Sequence, residues 1–307
     1  MLKELEILVL RNNSLSGELP PHWKDLQQLL VLDFTENNIS GNVPSSMRHL
    51  GSLRILALRQ NHLEGELPSF FRNYINLQSL DLGGNKFSGM LPAWIGESLS
   101  SLLRLSLRSN LFHGDIPQQL CLLSHLRILD LAHNDFFGAI PQCLGNLSSY
   151  YKEKNLSYTD DQMLLVSEGR EYLYGSSIID LVYYVDLSSN NLSGEIPDSI
   201  TNISKLAILN LSMNHLTGRI PEKIGNLHML ESLDLSVNEL YGPIPESLSS
   251  LNFLSHLNLS FNNLSGKFQM GINFKHLMTL LSTEDKIAVF IIDKIVHLLK
   301  KFKSERS

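Results

Sequence analysis

Residues 77–92 read LQSLDLGGNKFSGMLP, and the frame behind them, LxxLxLxxN followed by an apolar residue, Gly and usually I/L-P, returns along most of the chain. LESLDLSVNELYGPIP (230–245) and VDLSSNNLSGEIP (185–197) are two further copies. Each copy is marked by its Asn, namely Asn13, Asn37, Asn61, Asn85, Asn110, Asn134, Asn190, Asn214, Asn238 and Asn262. Neighbouring Asn residues are 24 positions apart, except for one step of 25 and one of 56. A fixed period over ten copies, here numbered repeats 1–10, predicts a solenoid with one turn per copy.

The frame also predicts the path of the backbone. The LxL core alternates with period two, as a short β-strand does, with leucines inward and the intervening residues outward on a parallel sheet. We expect the repeated Asn to be buried at the turn, because its amide can donate to and accept from stranded backbone groups. Gly permits a positive φ, and Pro ends the strand-like pairing before the convex side. The sequence thus predicts an α/β solenoid with a parallel concave sheet and a 3-10 or irregular convex side.

The 56-residue step and the C-terminus divide the chain into four parts. These are repeats 1–6 (1–148), an irregular island segment (149–181), repeats 7–10 (182–268) and a divergent basic tail (269–307). Residues 1–266 hold 17 Lys+Arg and 27 Asp+Glu, a net charge of −10, whereas residues 267–307 hold 8 and 4, a net charge of +4. Hydrophobic residues make up 43% of the chain and charged residues 18%, which is typical of a globular protein. The overall net charge of −6 argues against nucleic acid as a partner.

The G-x-[IL]-P half of the repeat resembles the plant-type extracellular leucine-rich repeat. The order of the parts narrows this resemblance, because QQLCLLSHLRILDLAHNDFFGAIPQCLGNLSSY (118–150) precedes the island and DLSSNNLSGEIPDSITNISKLAILNLSMNHLTGRIPEKIGNLHMLESLDLS (186–236) follows it. An island followed by four repeats is similar to the C-terminal part of the ectodomain of plant leucine-rich-repeat receptor-like proteins, the kinase-less, disease-resistance type. The resemblance covers residues 1–268.

This resemblance implies a plant ectodomain, at the extracellular side of the plasma membrane, that recognises a peptide or protein ligand in immunity or development. Signal transduction would then pass through a co-receptor kinase. The chain departs from the family because it opens in mid-repeat at Leu5 with no signal peptide, has no apolar run long enough for a transmembrane helix, and diverges after residue 268. We therefore expect a truncated receptor. The alternatives are a secreted protein similar to polygalacturonase inhibitors, which lack an island, and a non-functional gene fragment.

Motifs that carry enzyme chemistry are missing from the sequence. It contains no phosphate loop, kinase motif, HExxH or GxSxG, and its 11 histidines are scattered. We predict that the protein is not an enzyme and uses no cofactor or metal. An aspartate recurs on the concave sheet, and we interpret it as a solvent-exposed feature of the repeat rather than a carboxylate site. These residues are Asp33, Asp81, Asp130, Asp186 and Asp234.

Arginines mark the concave side of the first six repeats. Arg11, Arg54, Arg59, Arg104, Arg108 and Arg127 occupy its outward positions. Arg11, Arg59 and Arg108 share one column in alternate repeats, which places them about 10 Å apart. Repeats 7–10 have Ser188, Ser212, Ser236 and Ser260 in that column. We predict a cationic N-terminal half that holds an acidic peptide or carboxylate by bidentate contacts; the alternative is solubilising charge among the nearby aspartates.

Seven of the nine tyrosines fall between residues 150 and 184. Tyr combines a large apolar ring with a polar tip, so such clustering favours an interface. We predict that Tyr172, Tyr174 and Tyr183 contact a ligand or co-receptor; the alternative is that the island packs its own aromatic rings onto the sheet.

The only two cysteines, Cys121 and Cys143, are 22 residues apart, near the convex side of successive turns. Adjacent turns bring their backbones within reach of a disulfide, which we predict for an oxidising compartment. Two buried free thiols are the alternative.

The chain has nine N-x-[ST] sequons, which fits a secreted glycoprotein although the repeat itself creates several of them. They are Asn12, Asn38, Asn146, Asn155, Asn191, Asn202, Asn210, Asn258 and Asn263. Glycans on the outward strand positions Asn210 and Asn258 would block the C-terminal concave face and direct a ligand to the Arg-bearing half.

Apolar residues recur at helical spacing in the tail, at Ile287, Ile291, Ile295, Leu298 and Phe302. One interpretation is a helix on a membrane surface. The other is unrelated sequence that packs loosely over the last open turn.

Overall fold

The computed structural model describes residues 3–147, 162–167, 170–175 and 182–266. Ten parallel strands, one from each repeat, form a single sheet whose order follows the chain. They are Ile7–Val9, Val31–Asp33, Ile55–Ala57, Ser79–Asp81, Arg104–Ser106, Ile128–Asp130, Tyr183–Asp186, Leu206–Asn210, Ser232–Asp234 and His256–Asn258. The predicted α/β solenoid with its parallel sheet is confirmed. We call the face of this sheet that points away from the core the concave face.

The 56-residue step leaves no gap in this sheet. The strand of repeat 6 pairs directly with the strand of repeat 7, so that Ile128 lies opposite Tyr184 and Asp130 lies opposite Asp186. The intervening residues are therefore inserted between two turns that stack in the same register as other neighbours.

Leucines and the repeated asparagine fill the interior between the turns. In repeat 3, Leu53, Leu56 and Leu58 are all fully buried. Asn61 donates from Nδ2 to the carbonyl oxygens of Leu58 (3.1 Å) and, in the previous turn, Phe34 (2.9 Å). Its Oδ1 accepts from the backbone N–H of Ile39 at 3.0 Å. The same set recurs from Asn37 to Asn262, and losing it would strand buried groups at about 1–3 kcal/mol each.

A second parallel sheet lies directly after the Asn positions, which the sequence analysis does not anticipate. Its eight strands are Ser16–Glu18, Asn38–Asn42, His62–Glu66, Lys86–Met90, Leu111–Asp115, Asp135–Ala139, Asn191–Glu195 and His215–Thr217, and Tyr241–Gly242 pairs with Asn263–Leu264 in the same manner. The repeated Gly lies inside these strands with a positive φ, +87° at Gly65. This Gly and the following Pro resemble turn residues in sequence, which conceals the strand between them.

Short helices cover the convex side. Seven are 3-10 helices, Ser45–His49, Ser69–Asn73, Gln118–Leu122, Gln142–Asn146, Asp198–Asn202, Ile224–Asn226 and Glu246–Ser250, and one is α-helical, Trp94–Ser98. Most begin directly after the repeated Pro, whose fixed φ suits the first turn of a helix; Pro44 has a φ of −69°. The predicted 3-10 convex side is confirmed for the described residues.

Part of the island forms a β-hairpin that packs on the concave face. Gln162–Ser167 pairs antiparallel with Arg170–Gly175. Leu165 is fully buried in an apolar cluster with Ile128, Tyr184 and Ile208, which belong to repeats 6, 7 and 8. The hairpin therefore covers the middle of the concave face.

The tail, residues 267–307, lies outside the described residues, so both interpretations of its apolar spacing stay predictions. Among the residues that the structure describes, no helix has the length and apolar character needed to cross a membrane.

The concave face as candidate binding site

Side chains on the concave face form columns, because residues in equivalent strand positions stack from turn to turn. The column two residues before the repeated Asn holds Arg11, Arg59 and Arg108 in alternate repeats. Small residues, Thr35 and Gly83, lie between them and leave room for the guanidinium groups. This agrees with the column expected from the sequence.

The aspartate column beside it differs from the expectation of solvent exposure. Asp33 and Asp81 are only 8% and 5% exposed, and Asp130 and Asp186 are fully buried. Each uses Oδ1 to accept the backbone N–H two residues further on, as Asp186 does from Ser188 at 2.9 Å. The aspartates are buried because neighbouring strands stack close beside them and because the arginines of the adjacent column lie against them. Their interpretation as exposed side chains was wrong for these four residues.

The arginines of the column lie within ion-pair distance of these aspartates. Arg11 Nη1 is 3.8 Å from Asp33 Oδ2, and Arg59 Nε is 4.0 Å from Asp81 Oδ2. Arg59 also forms an ion pair with Glu36 of the previous repeat. The positive charge of this column is therefore partly balanced by carboxylates of its own sheet.

The most buried charges lie where repeats 5, 6 and 7 meet. Arg108 Nη1 is 3.0 Å from Asp186 Oδ2 and 3.6 Å from Asp130 Oδ1. The Tyr184 hydroxyl donates to Asp186 Oδ2 at 2.9 Å, whereas Asp130 Oδ2 has no hydrogen-bond partner among the described residues. Burial lowers the pKa of Arg108, but the charges of Asp130 and Asp186 outweigh it, so this pKa is raised.

The pKa of the Asp130 carboxyl is raised well above its usual range. Burial is the main cause, and the charge of Asp186 in the adjacent strand adds to it. Arg108 and the backbone N–H of Ala132 lower this pKa and only partly offset the other two effects. Asp130 is an acid with a perturbed pKa, but its full burial gives a substrate no access to it.

The other three arginines have unequal access to solvent. Arg54 is exposed, whereas Arg104 is 1% and Arg127 8% exposed. Contact of Arg104 or Arg127 with a ligand would require the surrounding side chains to move. Arg54 and the half-buried Arg11 are therefore the arginines of the predicted set that a ligand can reach most directly.

A cluster of apolar side chains lies beside these two arginines. Val31, Ile55 and Leu103 form a cluster on the concave face, with Val9 and Leu30 packed against it. Leu30 shares a column with Arg54 in the next repeat. Val31, Ile55 and Leu103 are themselves only 2–3% exposed, so the apolar side chains that a ligand can reach beside the exposed Arg54 are the half-buried Val9 and Leu30.

The predicted tyrosines separate into different environments. Tyr183 is 6% exposed and packs in the leucine core, with Lys205 Nζ 5.9 Å from its ring centre. A register irregularity between Tyr183 and Tyr184 pairs Tyr183 with the core residue Leu206, whereas Tyr184 keeps the outward position opposite Ile128 and contacts the island cluster. Tyr172 and Tyr174 belong to the strand Arg170–Gly175, and their side chains lie outside the described residues. Tyr184, which the sequence analysis did not select, is the tyrosine whose side chain lies on the concave face. Aligning its repeat with repeat 6 places it opposite the outward residue Ile128 and could have identified it.

The sequon asparagines also differ in their environment. Asn12, Asn38, Asn146, Asn191, Asn202 and Asn263 are exposed, Asn210 and Asn258 are partly buried, and Asn155 lies outside the described residues. Asn258 donates from Nδ2, the atom that would carry a glycan, to Asp234 Oδ2 at 3.2 Å and Ser236 Oγ at 3.1 Å. The exposed sequons are the better acceptors.

The structure joins Cys121 and Cys143 in a disulfide, with their Cα atoms 5.7 Å apart. Cys121 lies in the helix Gln118–Leu122 and Cys143 in the helix Gln142–Asn146. The bond therefore ties together the last two turns before the island.

A metal site is not evident in the described ranges, which hold no group of three or more His, Cys, Asp or Glu placed to bind an ion. The described part of the face instead offers apolar surface, paired charges and hydroxyl groups. This chemistry suits the binding of another molecule.

Solved structures similar to this chain include ectodomains of plant receptors. The plant peptide hormone receptor RGFR1, in complex with RGF2, is 32% identical with a TM-score of 0.72 over 87% of this chain and 38% of its own. The Arabidopsis receptor kinase HAESA, in complex with the peptide hormone IDA and the co-receptor SERK1, is 31% identical with a TM-score of 0.61 over 86% and 43%. A plant ice-binding protein is 25% identical with a TM-score of 0.68 over 88% and 76%.

This chain thus spans 38% and 43% of the two receptor chains. Among curated proteins, none matches it in sequence. The family profile described as "Leucine rich repeat" matches residues 3–63 and 75–136, and a second profile of that description matches residues 182–203, 205–227 and 229–251. Together these segments make up more than half of the 307 residues. The chain therefore belongs to the leucine-rich-repeat family, with a solenoid like that of plant receptor ectodomains.

Proposed function

We propose that the chain is the ligand-recognition part of a plant cell-surface receptor, the C-terminal part of the ectodomain of a kinase-less receptor-like protein of the disease-resistance type. It would act in immunity or development at the outside of the plasma membrane. The observation that carries this proposal is the likeness to receptor ectodomains in complex with peptide hormones.

The concave face of repeats 1–5 is the proposed ligand site. The island hairpin occupies the face at repeats 6–8 through Leu165, so a ligand has direct access to the turns before it. There, Arg54 is exposed beside the half-buried Val9 and Leu30, which pack on the buried Val31 and Ile55. A peptide with apolar side chains and a carboxylate fits this combination, because Arg presents paired donors to a carboxylate.

Arg59 and Arg108 belong to the same face but are less accessible to a ligand than Arg54. Their side chains are 9% and 12% exposed and already face carboxylates. A ligand carboxylate would reach Arg59 only by replacing Glu36, whose side chain is 45% exposed. Charge reversal at Arg59 or Arg108 would also set two carboxylates side by side, so Arg54 is the cleaner position for a test.

Peptides selected from a random library against the immobilised full chain provide the probe. We expect them to be rich in Asp or Glu and to bind Arg54→Glu about tenfold more weakly, about 1.4 kcal/mol. The matched control is Lys86→Glu, the same charge reversal at an exposed residue of the second sheet. Selected peptides without acidic residues, or equal loss in both variants, would contradict the site.

Signalling through a partner kinase is tested separately. HAESA is seen with a peptide hormone and the co-receptor SERK1 together. We expect an immobilised co-receptor ectodomain to retain this chain more strongly when a selected peptide is present. Inhibition of a polygalacturonase with no effect of peptide on retention would favour the inhibitor-like alternative instead.

A further inference from the structure

Two exposed aromatic side chains interrupt a column of polar residues on the second sheet and its continuation Tyr241–Gly242. Phe137 is 50% exposed and Tyr241 is 47% exposed, and each lies three residues after the repeated Asn. The other described residues at this position are Ser, Thr, Glu or His, namely Ser16, Ser40, Glu64, Ser88, His113, Ser193, Thr217 and Ser265. Because exposed rings leave apolar surface in water, a contact that covers these two rings would be favourable.

Each of the two rings lies beside an asparagine of an N-x-[ST] sequon. Phe137 is the register partner of Asn191, and Tyr241 is the register partner of Asn263. Neighbouring strands are about 4.8 Å apart, and all four side chains are exposed on the outer side of their strands. Phe261, which is 73% exposed, lies two residues before Asn263. A substituent on either asparagine therefore begins within one strand spacing of an exposed ring.

The amide group of Asn191 can carry a sugar without losing its present hydrogen bond. Asn191 donates from Nδ2 to Asp135 Oδ1, and a glycosylated amide keeps one N–H for this bond. On the concave face, Asn258 instead uses Nδ2 to donate to two acceptors, Asp234 and Ser236. The hydrogen bonds thus favour the sequon beside the ring as the acceptor over this one on the concave face.

We propose that N-linked glycans on Asn191 and Asn263 pack their first N-acetylglucosamine on the rings of Phe137 and Tyr241. In the attachment step Nδ2 forms a bond to C1 of the sugar, the bond from C1 to the diphosphate of a lipid-linked oligosaccharide breaks, and one amide proton leaves. The inference rests on the proposed location outside the cell and is independent of the proposed ligand site.

The surfaces of sugar and ring are complementary. One face of an N-acetylglucosamine ring presents C–H groups, which pack on the face of an aromatic ring, while the hydroxyl groups at its edge stay in water. Glycans held in this way lie along the second sheet at repeats 6–7 and 9–10. They therefore cover this side of the solenoid and leave the concave face open to a ligand.

A double-mutant cycle in the glycosylated full chain tests the contact. The chain is secreted behind an added signal peptide from cells that make high-mannose glycans, and endoglycosidase H trims each glycan to its first N-acetylglucosamine. Mass spectrometry should find this sugar on Asn191 and Asn263. In urea denaturation, Phe137→Ser should lower the folding equilibrium constant about fivefold more when Asn191 carries the sugar than in the Asn191→Gln background. Tyr241→Ser should behave in the same way with Asn263 and Asn263→Gln.

Nuclear magnetic resonance of the trimmed glycoprotein gives a second readout that does not depend on stability. Sugar protons that lie over an aromatic ring are shifted upfield by its ring current. This shift should disappear for the sugar on Asn191 in Phe137→Ser, and the sugar on Asn263 should keep its own shift in that variant.

The matched control is the sequon at Asn38, whose register partner is Ser16 and therefore offers no ring. The effects of Ser16→Ala and Asn38→Gln should simply add. Three results would each overturn the proposal: no sugar on Asn191 and Asn263, additive effects at both ring sites, or sugar protons without an upfield shift.

Discussion

The Asp130 side chain lies in surroundings that disfavour its negative charge. It is fully buried, faces Asp186 across the strand pair, and shares Arg108 with it. Because its pKa in the folded chain is raised, the folded state holds this proton at pH values where the unfolded chain has lost it. The resulting stability is complete below the unfolded pKa of about 4 and is lost as the pH rises through the folded pKa.

Replacing Asp130 with Asn removes the charge and keeps the shape. We expect Asp130→Asn to raise the melting temperature relative to the unaltered chain near pH 7, and to have little effect below about pH 3.5, where both chains are neutral at this position. Thermal unfolding followed by circular dichroism at the two pH values measures this. A melting temperature that falls at neutral pH would mean that the charged carboxylate is required by Arg108.

Single residues also show what the sequence could and could not predict on this face. The alternation of the repeat correctly assigned Arg11, Arg59 and Arg108 to one column. It did not predict that the aspartates beside them are buried, because their burial depends on the side chains of neighbouring turns, which a single repeat does not reveal. It also missed the register irregularity that places Tyr183 in the core, opposite Leu206.

Among the elements, the convex helices stack most tightly at their glycines. A Cβ added to Gly145 would lie 1.9 Å from the carbonyl oxygen of Ser199 in the helix Asp198–Asn202. This contact connects the helices of repeats 6 and 7 across the island. The absence of a Cβ at Gly145 is therefore required for these two helices to stack at the interruption.

Gly145→Ala should consequently be destabilising. Backbone atoms of the next turn must shift to admit the methyl group, and we expect a loss of about 1–3 kcal/mol or more in the free energy of unfolding. Gly51→Ala is the control, since its added Cβ meets nothing within 4 Å. Urea denaturation of both variants measures the difference, and an equal effect at the two glycines would refute the close approach.

Elements differed in how well sequence predicted them. The strands of the ten-stranded sheet follow from LxL and the buried Asn, because both features recur in every turn. The strand Lys86–Met90 and its equivalents were missed, because Ser and Gly inside them are typical of turns. Their pairing depends on the neighbouring turn, which a single repeat does not reveal.

In the whole molecule, the disulfide Cys121–Cys143 secures the turns just before the island. It closes a loop with a sequence separation of 22 residues, for which chain entropy gives a stabilisation of about 3 kcal/mol. We expect Cys121→Ser/Cys143→Ser to lose roughly this amount in urea denaturation. Reduction of the unaltered chain should reproduce the loss, and an unchanged midpoint in both experiments would show that the bond does not stabilise the solenoid.

The whole solenoid divides its concave face into zones with different chemistry. Repeats 1–5 combine the accessible Arg54 with the half-buried Val9 and Leu30, and the hairpin lies over repeats 6–8. Repeats 8–10 expose the apolar side chains of Met213, Val237 and Phe261. The central claim is that a peptide ligand occupies the first of these zones.

Photo-cross-linking of a selected peptide to the full chain, with the attached residues identified by mass spectrometry, tests this claim most directly. We expect attachment at concave-face positions of repeats 1–5, such as Arg11, Arg54 and Gln78, and loss of attachment in Arg54→Glu but not in Lys86→Glu. Attachment at the second sheet or at the convex helices, unaffected by Arg54→Glu, would contradict the proposed binding face.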